Sequence, residues 1–111
     1  PQGITRDLAD GQVWTDAGLT YTVLETPGHS PGGVCFYFKT ENILVSGDCL
    51  FQGGIGRTDL PGGDARILSS SLDRIMRLPD QTVVYAGHGP ATTIGRERKT
   101  NPFLLDRSWA G

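Results

Sequence analysis

Short apolar runs separated by glycine and proline dominate the first two thirds of the chain. Runs that are rich in valine, isoleucine, tyrosine, phenylalanine and threonine and bounded by turn formers are typical of β-strands. They cover residues 19–25, 34–38, 43–46 and 82–86. The polar residues 40–42 between the second and third runs predict a hairpin turn. The pattern therefore predicts four strands, three of them before the middle of the chain.

Two later segments carry helical signals. The clearer one has apolar residues at an i, i+4, i+7, i+8 spacing: Leu68, Leu72, Ile75 and Met76. This spacing predicts an amphipathic helix, with Asp64 as its N-cap and an end shortly after Leu78, before Pro79. A second short helix is predicted from about residue 94 to 99. The order of strands, helix, strand and helix predicts a layered α/β protein with helices packed on a sheet.

The composition indicates a single globular domain but points to no functional site. The chain has 111 residues, which predicts a single domain. With 37% hydrophobic residues, 20% charged residues and a net charge of -2, it is typical of a globular protein with no nucleic acid or membrane partner. Cys35 and Cys49 form no C-x-x-C pair and lie in apolar stretches, so both are expected to be buried thiols. Reduced thiols favour a cytoplasmic location.

Three potential metal ligands each follow a predicted strand. They are His29, Asp48 and His88, and each has a glycine neighbour. A lone histidine in a loop is usually solvated, and a lone Gly-Asp pair is usually a turn. Together, however, two imidazoles and one carboxylate at strand ends are a donor set that suits a divalent metal ion. The pattern therefore predicts a metal site at one edge of the sheet.

Three segments resemble, in order, the last three metal-binding motifs of the metallo-β-lactamase superfamily. They are residues 26–32, 46–48 and 86–90. The similarity is closest to the glyoxalase II-like branch, and residues 48–64 and 92–104 add to it. It extends from about Leu19 to Leu104, which is most of the chain.

The resemblance implies an αβ/βα sandwich, of which residues 1–111 would be the C-terminal half, with a mixed sheet and helices packed on one face. It implies that His29 binds a first metal ion, that His88 binds a second and that Asp48 bridges them. Zinc would be the usual metal, with iron or manganese as alternatives. The family's His-x-His-x-Asp-His motif is absent from this sequence, which begins at Pro1 without an initiator methionine. We therefore expect the N-terminal half to be missing and the isolated chain to bind metal weakly and to be inactive.

The resemblance also implies a reaction and a substrate class. A metal-bound hydroxide would hydrolyse a small-molecule thioester such as a hydroxyacylglutathione, with Asp48 as catalytic ligand. Arg57 stands where the family places a basic residue that holds a substrate carboxylate. Asp59, which stands where the family has an aromatic partner, is the second expected substrate-binding position. Leu105 replaces an arginine that contacts glutathione. An exposed ion pair between Arg57 and Asp59 is the alternative interpretation.

Two other functions stay open. Persulfide dioxygenases share the fold and the Gly-Arg-Thr-Asp sequence of residues 56–59, and they use one iron, which His29 and Asp48 would bind here. A non-catalytic fragment could instead self-associate through the apolar surface that the missing half would cover. Residues 96–99 are predicted to form a solvated helix face.

Overall fold

A mixed sheet forms the centre of the computed structural model, which describes residues 10–29, 33–59 and 61–110. Its strand order is β1-β2-β3-β4-β7-β8, and β5 pairs with β6 in a separate hairpin. The strands are β1 (Val13–Asp16), β2 (Leu19–Glu25), β3 (Val34–Phe38), β4 (Ile43–Gly47), β5 (Leu50–Phe51), β6 (Gly54–Ile55), β7 (Val83–Ala86) and β8 (Thr92–Thr93). The helices are α1 (Ala65–Ile75), α2 (Ile94–Thr100) and α3 (Pro102–Leu105), followed by a 3₁₀ turn at Ser108–Ala110. Residues 30–32 of the predicted motif at 26–32 lie outside the described residues.

Tight turns connect the first four strands into an antiparallel meander. Between β1 and β2, Ala17 and Gly18 both have positive φ angles, of 51° and 81°, as a two-residue hairpin turn requires. Between β3 and β4, Asn42 adopts φ 57°, which confirms the predicted turn. The chain then crosses over through α1, so that β7 pairs with β4 in parallel. The parallel pair sets the position of the site described below.

Helices α1 and α2 pack on the same face of the sheet. Asp64 caps α1 by accepting a hydrogen bond from the backbone N–H of Ile67. The buried core combines residues of the sheet, the hairpin and both helices: Cys35, Leu44, Cys49, Leu50, Leu68, Leu72, Ile75, Val84 and Ile94. This arrangement confirms the predicted α/β fold with a mixed sheet and helices on one face.

The opposite face of the sheet carries a row of apolar side chains. Strand register places Val23 opposite Phe36, Phe36 opposite Val45, and Val45 opposite Tyr85. Because side chains alternate between faces along a strand, this row points away from α1 and α2. Val45 and Tyr85 are 37% and 49% exposed. Val23 is fully buried, so we call Phe36, Val45 and Tyr85 the outer row.

Two predictions about the helices were wrong in part. Helix α1 ends at Ile75 with Met76 as its C-cap, before the predicted end near Leu78, and the guanidinium of Arg98 donates to the carbonyls of Met76 and Leu78. Residues 96–99 are not a uniformly solvated face, because Glu97 is fully buried. Across the described ranges, no helix has both the length and the apolar character needed to cross a membrane.

Candidate metal centre

The three predicted ligands lie at one edge of the sheet. Asp48 directly follows β4, and His88 comes two residues after β7, the parallel neighbour of β4. His29 follows β2, which runs in the same direction as β4 because each is antiparallel to β3 between them. The carboxyl ends of all three strands therefore meet at this edge, as the sequence predicts.

Asp48 lies between the two imidazoles. Its Oδ2 is 3.8 Å from Nε2 of His29, and its Oδ1 is 3.8 Å from Nδ1 of His88. Two ligand atoms of one tetrahedral zinc ion, each about 2.0 Å from the metal, are about 3.3 Å apart. Each pair thus needs only a small contraction to share a metal ion. The separate oxygens would let Asp48 bridge two ions.

The described residues supply only part of a coordination shell. Nowhere in the described ranges do three or more histidine, cysteine or acidic side chains form a ready-made metal site. Each histidine instead pairs with a different oxygen of Asp48, and a zinc site uses three or four ligands. Metal binding by His29, Asp48 and His88 therefore stays a prediction, with a donor set and spacing that fit.

A backbone carbonyl fixes the ring of His29. Nδ1 of His29 is 2.8 Å from the carbonyl oxygen of Arg57. Because a carbonyl can only accept, Nδ1 carries a proton, and in the neutral ring Nε2 then keeps its lone pair on the side of Asp48. A protein group that binds the second ring nitrogen in this way orients a metal-binding histidine and selects its tautomer. The sequence gives no sign of this contact, because position 57 acts through its backbone.

Two glycines allow the ligands to pack closely. A Cβ at Gly56 would lie 2.2 Å from the carbonyl oxygen of Asp48 and 2.9 Å from Cβ of His29. A Cβ at Gly87 would lie 3.0 Å from Oδ1 of Asp48. Backbone crowding therefore requires glycine at 56, whereas a Cβ at 87 would press on the Asp48 carboxylate itself.

The β5–β6 hairpin forms one wall of a cavity at the ligands. The ring of Phe51 lies on that of His88, with centroids 4.3 Å apart and an interplanar angle of 35°. The cavity has a volume of about 290 Å³ and is lined by His29, Asp48, Phe51, Ile55, Gly56, Arg57 and His88. The apolar residues Phe51 and Ile55 were missed in the sequence, because a two-residue strand has no periodicity to recognise.

Arg57 and Asp59 form an exposed ion pair beside this cavity. The guanidinium donates from Nε and Nη2 to the two carboxylate oxygens at 3.0 and 2.9 Å. Their side chains are 65% and 69% exposed. The hydrogen bonds from Arg57 hold the pKa of the Asp59 carboxyl below its usual value. Arg57 lines the cavity, whereas Asp59 is not among its lining residues.

Cys49, the neighbour of Asp48, is a packing residue. It is 5% exposed, and Cys35 is fully buried, which confirms the expectation for both. A hydrogen bond with the Cys35 thiol and burial raise the pKa of the Cys49 thiol. A thiol that keeps its proton is a poor metal ligand.

This arrangement is that of a layered α/β protein whose predicted histidine and aspartate ligands lie at the edge of a mixed sheet. The chain belongs to the metallo-beta-lactamase superfamily, whose family model matches residues 5–88. The curated relatives in this superfamily include a protein named a probable metallo-hydrolase.

Named relatives agree with this placement. The chain is 52% identical to the probable metallo-hydrolase YqgX of Bacillus subtilis, over 73% of the chain and 39% of that protein. It is 43% identical to the hydroxyacylglutathione hydrolase GloC of Haemophilus influenzae, over 89% of the chain and 47% of that protein. The structure of TTHA1623 in a di-iron-bound form matches with a TM-score of 0.82 and 48% identity, covering 91% of the chain and 49% of that protein. The chain thus spans less than half the length of these relatives.

Proposed function

We propose that the chain carries half of the metal site of a hydrolase that cleaves a thioester such as a hydroxyacylglutathione. The position of Asp48 supports this proposal most directly. Each of its two carboxylate oxygens lies 3.8 Å from a ring nitrogen of a different histidine. The similarity to GloC, named a hydroxyacylglutathione hydrolase, supports the substrate class.

Each residue of the site has a role in this proposal. His29, Asp48 and His88 would hold zinc or iron, and when bound the metal would supply a Lewis acid that lowers the pKa of water toward about 7. Asp48 would belong to both ligand pairs, because it lies between His29 and His88. The hydrogen bond from His29 to the Arg57 carbonyl keeps Nε2 free to act as a ligand. Phe51 packs against one face of the His88 ring.

Arg57 is the proposed anchor for a substrate carboxylate. Arg57 lines the cavity, and its exposed guanidinium already binds a carboxylate, that of Asp59, through two hydrogen bonds. A planar guanidinium binds any carboxylate in this two-point geometry. Asp59 then acts as an internal competitor, which a glutathione carboxylate would displace. This exchange separates the roles of the two residues.

The domain assignment follows from the incomplete ligand set. We propose that residues 1–111 are the C-terminal half of the sandwich, with further ligands in an N-terminal half. The coverage of 39% and 47% of two relatives supports this assignment. The outer row is the surface that such a half would cover, and self-association of the isolated chain through it is the alternative. The free thiols of Cys35 and Cys49 support a cytoplasmic location.

Calorimetric titration with zinc tests the half-site directly. We expect the 111-residue chain to bind zinc with a Kd above about 1 μM, because two ligands per ion are fewer than a tight site uses. Asp48→Asn should abolish the heat of binding, and the control Asp59→Asn should leave it unchanged. Sub-micromolar binding would contradict the half-site, and no binding by the unmodified chain would contradict the metal centre.

The proposed hydrolysis is tested with the longest protein that the gene encodes. It should hydrolyse S-lactoylglutathione, and metal analysis should find two ions per chain. One iron per chain with persulfide oxidation would instead favour the dioxygenase alternative.

A further inference from the structure

Glu97 on α2 is a fully buried carboxylate held by three neutral donors. It accepts hydrogen bonds from the backbone N–H of Gly53 at 2.8 Å, the hydroxyl of Thr92 at 2.6 Å and the side-chain amide of Asn101 at 2.9 Å. Glu97 and Asn101 are both 0% exposed. Because burying a carboxylate is costly unless its oxygens are bonded, a residue of this kind needs a structural or functional reason.

The donors at Gly53 and Asn101 connect Glu97 to the turn of the β5–β6 hairpin. Gly53 lies in that turn with φ 71°, and its neighbour Gly54 accepts a second hydrogen bond from the Asn101 amide at 3.2 Å. At the base of the hairpin, the Ser46 hydroxyl donates to the carbonyl of Leu50 at 2.8 Å. The hairpin forms a sheet of its own, and no backbone ladder joins its strands to the six-stranded sheet. These side-chain hydrogen bonds therefore hold it in place.

The segment formed by this hairpin and the residues after it contacts both histidines of the proposed metal centre. Phe51 in β5 lies on the ring of His88. Just after β6, the carbonyl of Arg57 accepts the hydrogen bond from His29. A shift of the hairpin would therefore change the orientation of both imidazoles together, although neither histidine touches Glu97.

We propose that Glu97 is a positioning residue, which clamps the β5–β6 turn and through it orients His29 and His88. This inference rests on the proposed metal-dependent function of the same edge. Glu97 acts through the hairpin and contacts neither the ligands nor the cavity.

Three variants separate clamping from general stability. Glu97→Asp keeps the charge but is one methylene shorter, so it loses its reach to Gly53. Glu97→Gln is isosteric, since its amide oxygen can still accept from Gly53 and Asn101 while its amide N–H donates to the Thr92 hydroxyl. Ile94→Val removes a methylene from the buried face of the same helix and serves as the matched control.

The readouts are amide hydrogen exchange at Gly53, the imidazole resonances of both histidines and zinc affinity by titration. Glu97→Asp should accelerate exchange at Gly53 at least tenfold, shift both sets of resonances and weaken zinc binding roughly tenfold, in the range for groups that orient metal ligands. Glu97→Gln and Ile94→Val should both keep all three readouts at the values of the unmodified chain.

Unchanged histidine resonances in Glu97→Asp, or equal shifts in Ile94→Val, would overturn the proposal. The first two readouts need no metal. If the unmodified chain binds no zinc, the proposed function fails, whereas exchange at Gly53 and the histidine resonances still decide the role of Glu97.

Discussion

Gly87 packs directly against the carboxylate of Asp48, so a β-carbon at position 87 would lie 3.0 Å from Oδ1. The φ angle of Gly87 is not positive, and the crowded atom belongs to a side chain that can rotate. We therefore expect Gly87→Ala to fold with an unchanged unfolding midpoint but to bind zinc about tenfold more weakly, as a disturbed ligand orientation does. Thermal unfolding and calorimetric titration check the two parts, and unchanged zinc affinity would contradict the assignment of Asp48.

Gly56 should behave differently, because its crowded neighbour is backbone. A Cβ there would lie 2.2 Å from the carbonyl oxygen of Asp48, which cannot move without shifting the turn after β4. We expect Gly56→Ala to lower the free energy of unfolding by about 1–3 kcal/mol, as overpacking does. Urea denaturation measures this loss. A stability equal to that of Gly87→Ala would show that the turn yields easily.

Removing the negative charge at position 59 should free Arg57. In Asp59→Asn the guanidinium loses its two charged hydrogen bonds and becomes available to a substrate carboxylate. We expect a lower KM for S-lactoylglutathione with kcat nearly unchanged, measured in the longest gene product. Arg57→Lys should raise KM, because an ammonium lacks the two-point geometry. Equal KM values in all three proteins would exclude Arg57 as the anchor.

Asp10 and Arg74 make a pH-dependent contribution to stability. The hydrogen bond from Arg74 lowers the pKa of the Asp10 carboxyl below 3.8. An acid whose pKa is lower in the folded state stabilises the fold at pH values above its unfolded-state pKa. This stabilisation is lost as the pH falls through its folded-state pKa. Because both side chains are more than a third exposed, we expect Asp10→Asn to cost about 0.5 kcal/mol at pH 7. Urea midpoints of the two proteins should converge below pH 3, and a gap that persists there would contradict the linkage.

The outer row predicts self-association of the isolated chain. Val45 and Tyr85 are neighbours across β4 and β7 and expose apolar surface. Val45→Lys should shift the sedimentation profile toward monomer, because a charge on this face opposes sheet packing. Leu105→Lys, at a residue 63% exposed on α3, is the control and should leave the profile unchanged. A monomeric unmodified chain would contradict the prediction.

The strands and the ligand edge could be predicted because their signals are local. The predicted bounds of β2 and β3 match the structure, and glycine neighbours marked Asp48 and His88. The hairpin wall could not be predicted, since Leu50 and Phe51 are too short a run to show alternation. Burial of Glu97 could not be predicted either, because its donors lie 44 positions away at Gly53 and nearby at Thr92 and Asn101. A charged side chain in a helical segment is usually exposed to solvent, but Glu97 is buried because tertiary hydrogen bonds hold it.

The parallel pairing of β4 with β7 has a consequence for how this edge can diversify. Asp48 and His88 leave adjacent strands, and the spacing of about 4.8 Å between neighbouring strands is a constant of backbone hydrogen bonding. Substitutions in the β5–β6 wall can therefore change which molecules fit the cavity while the backbone spacing between these two strand ends stays the same. Selectivity can then evolve on the hairpin, provided that the new side chains still hold the ring of His88 in place.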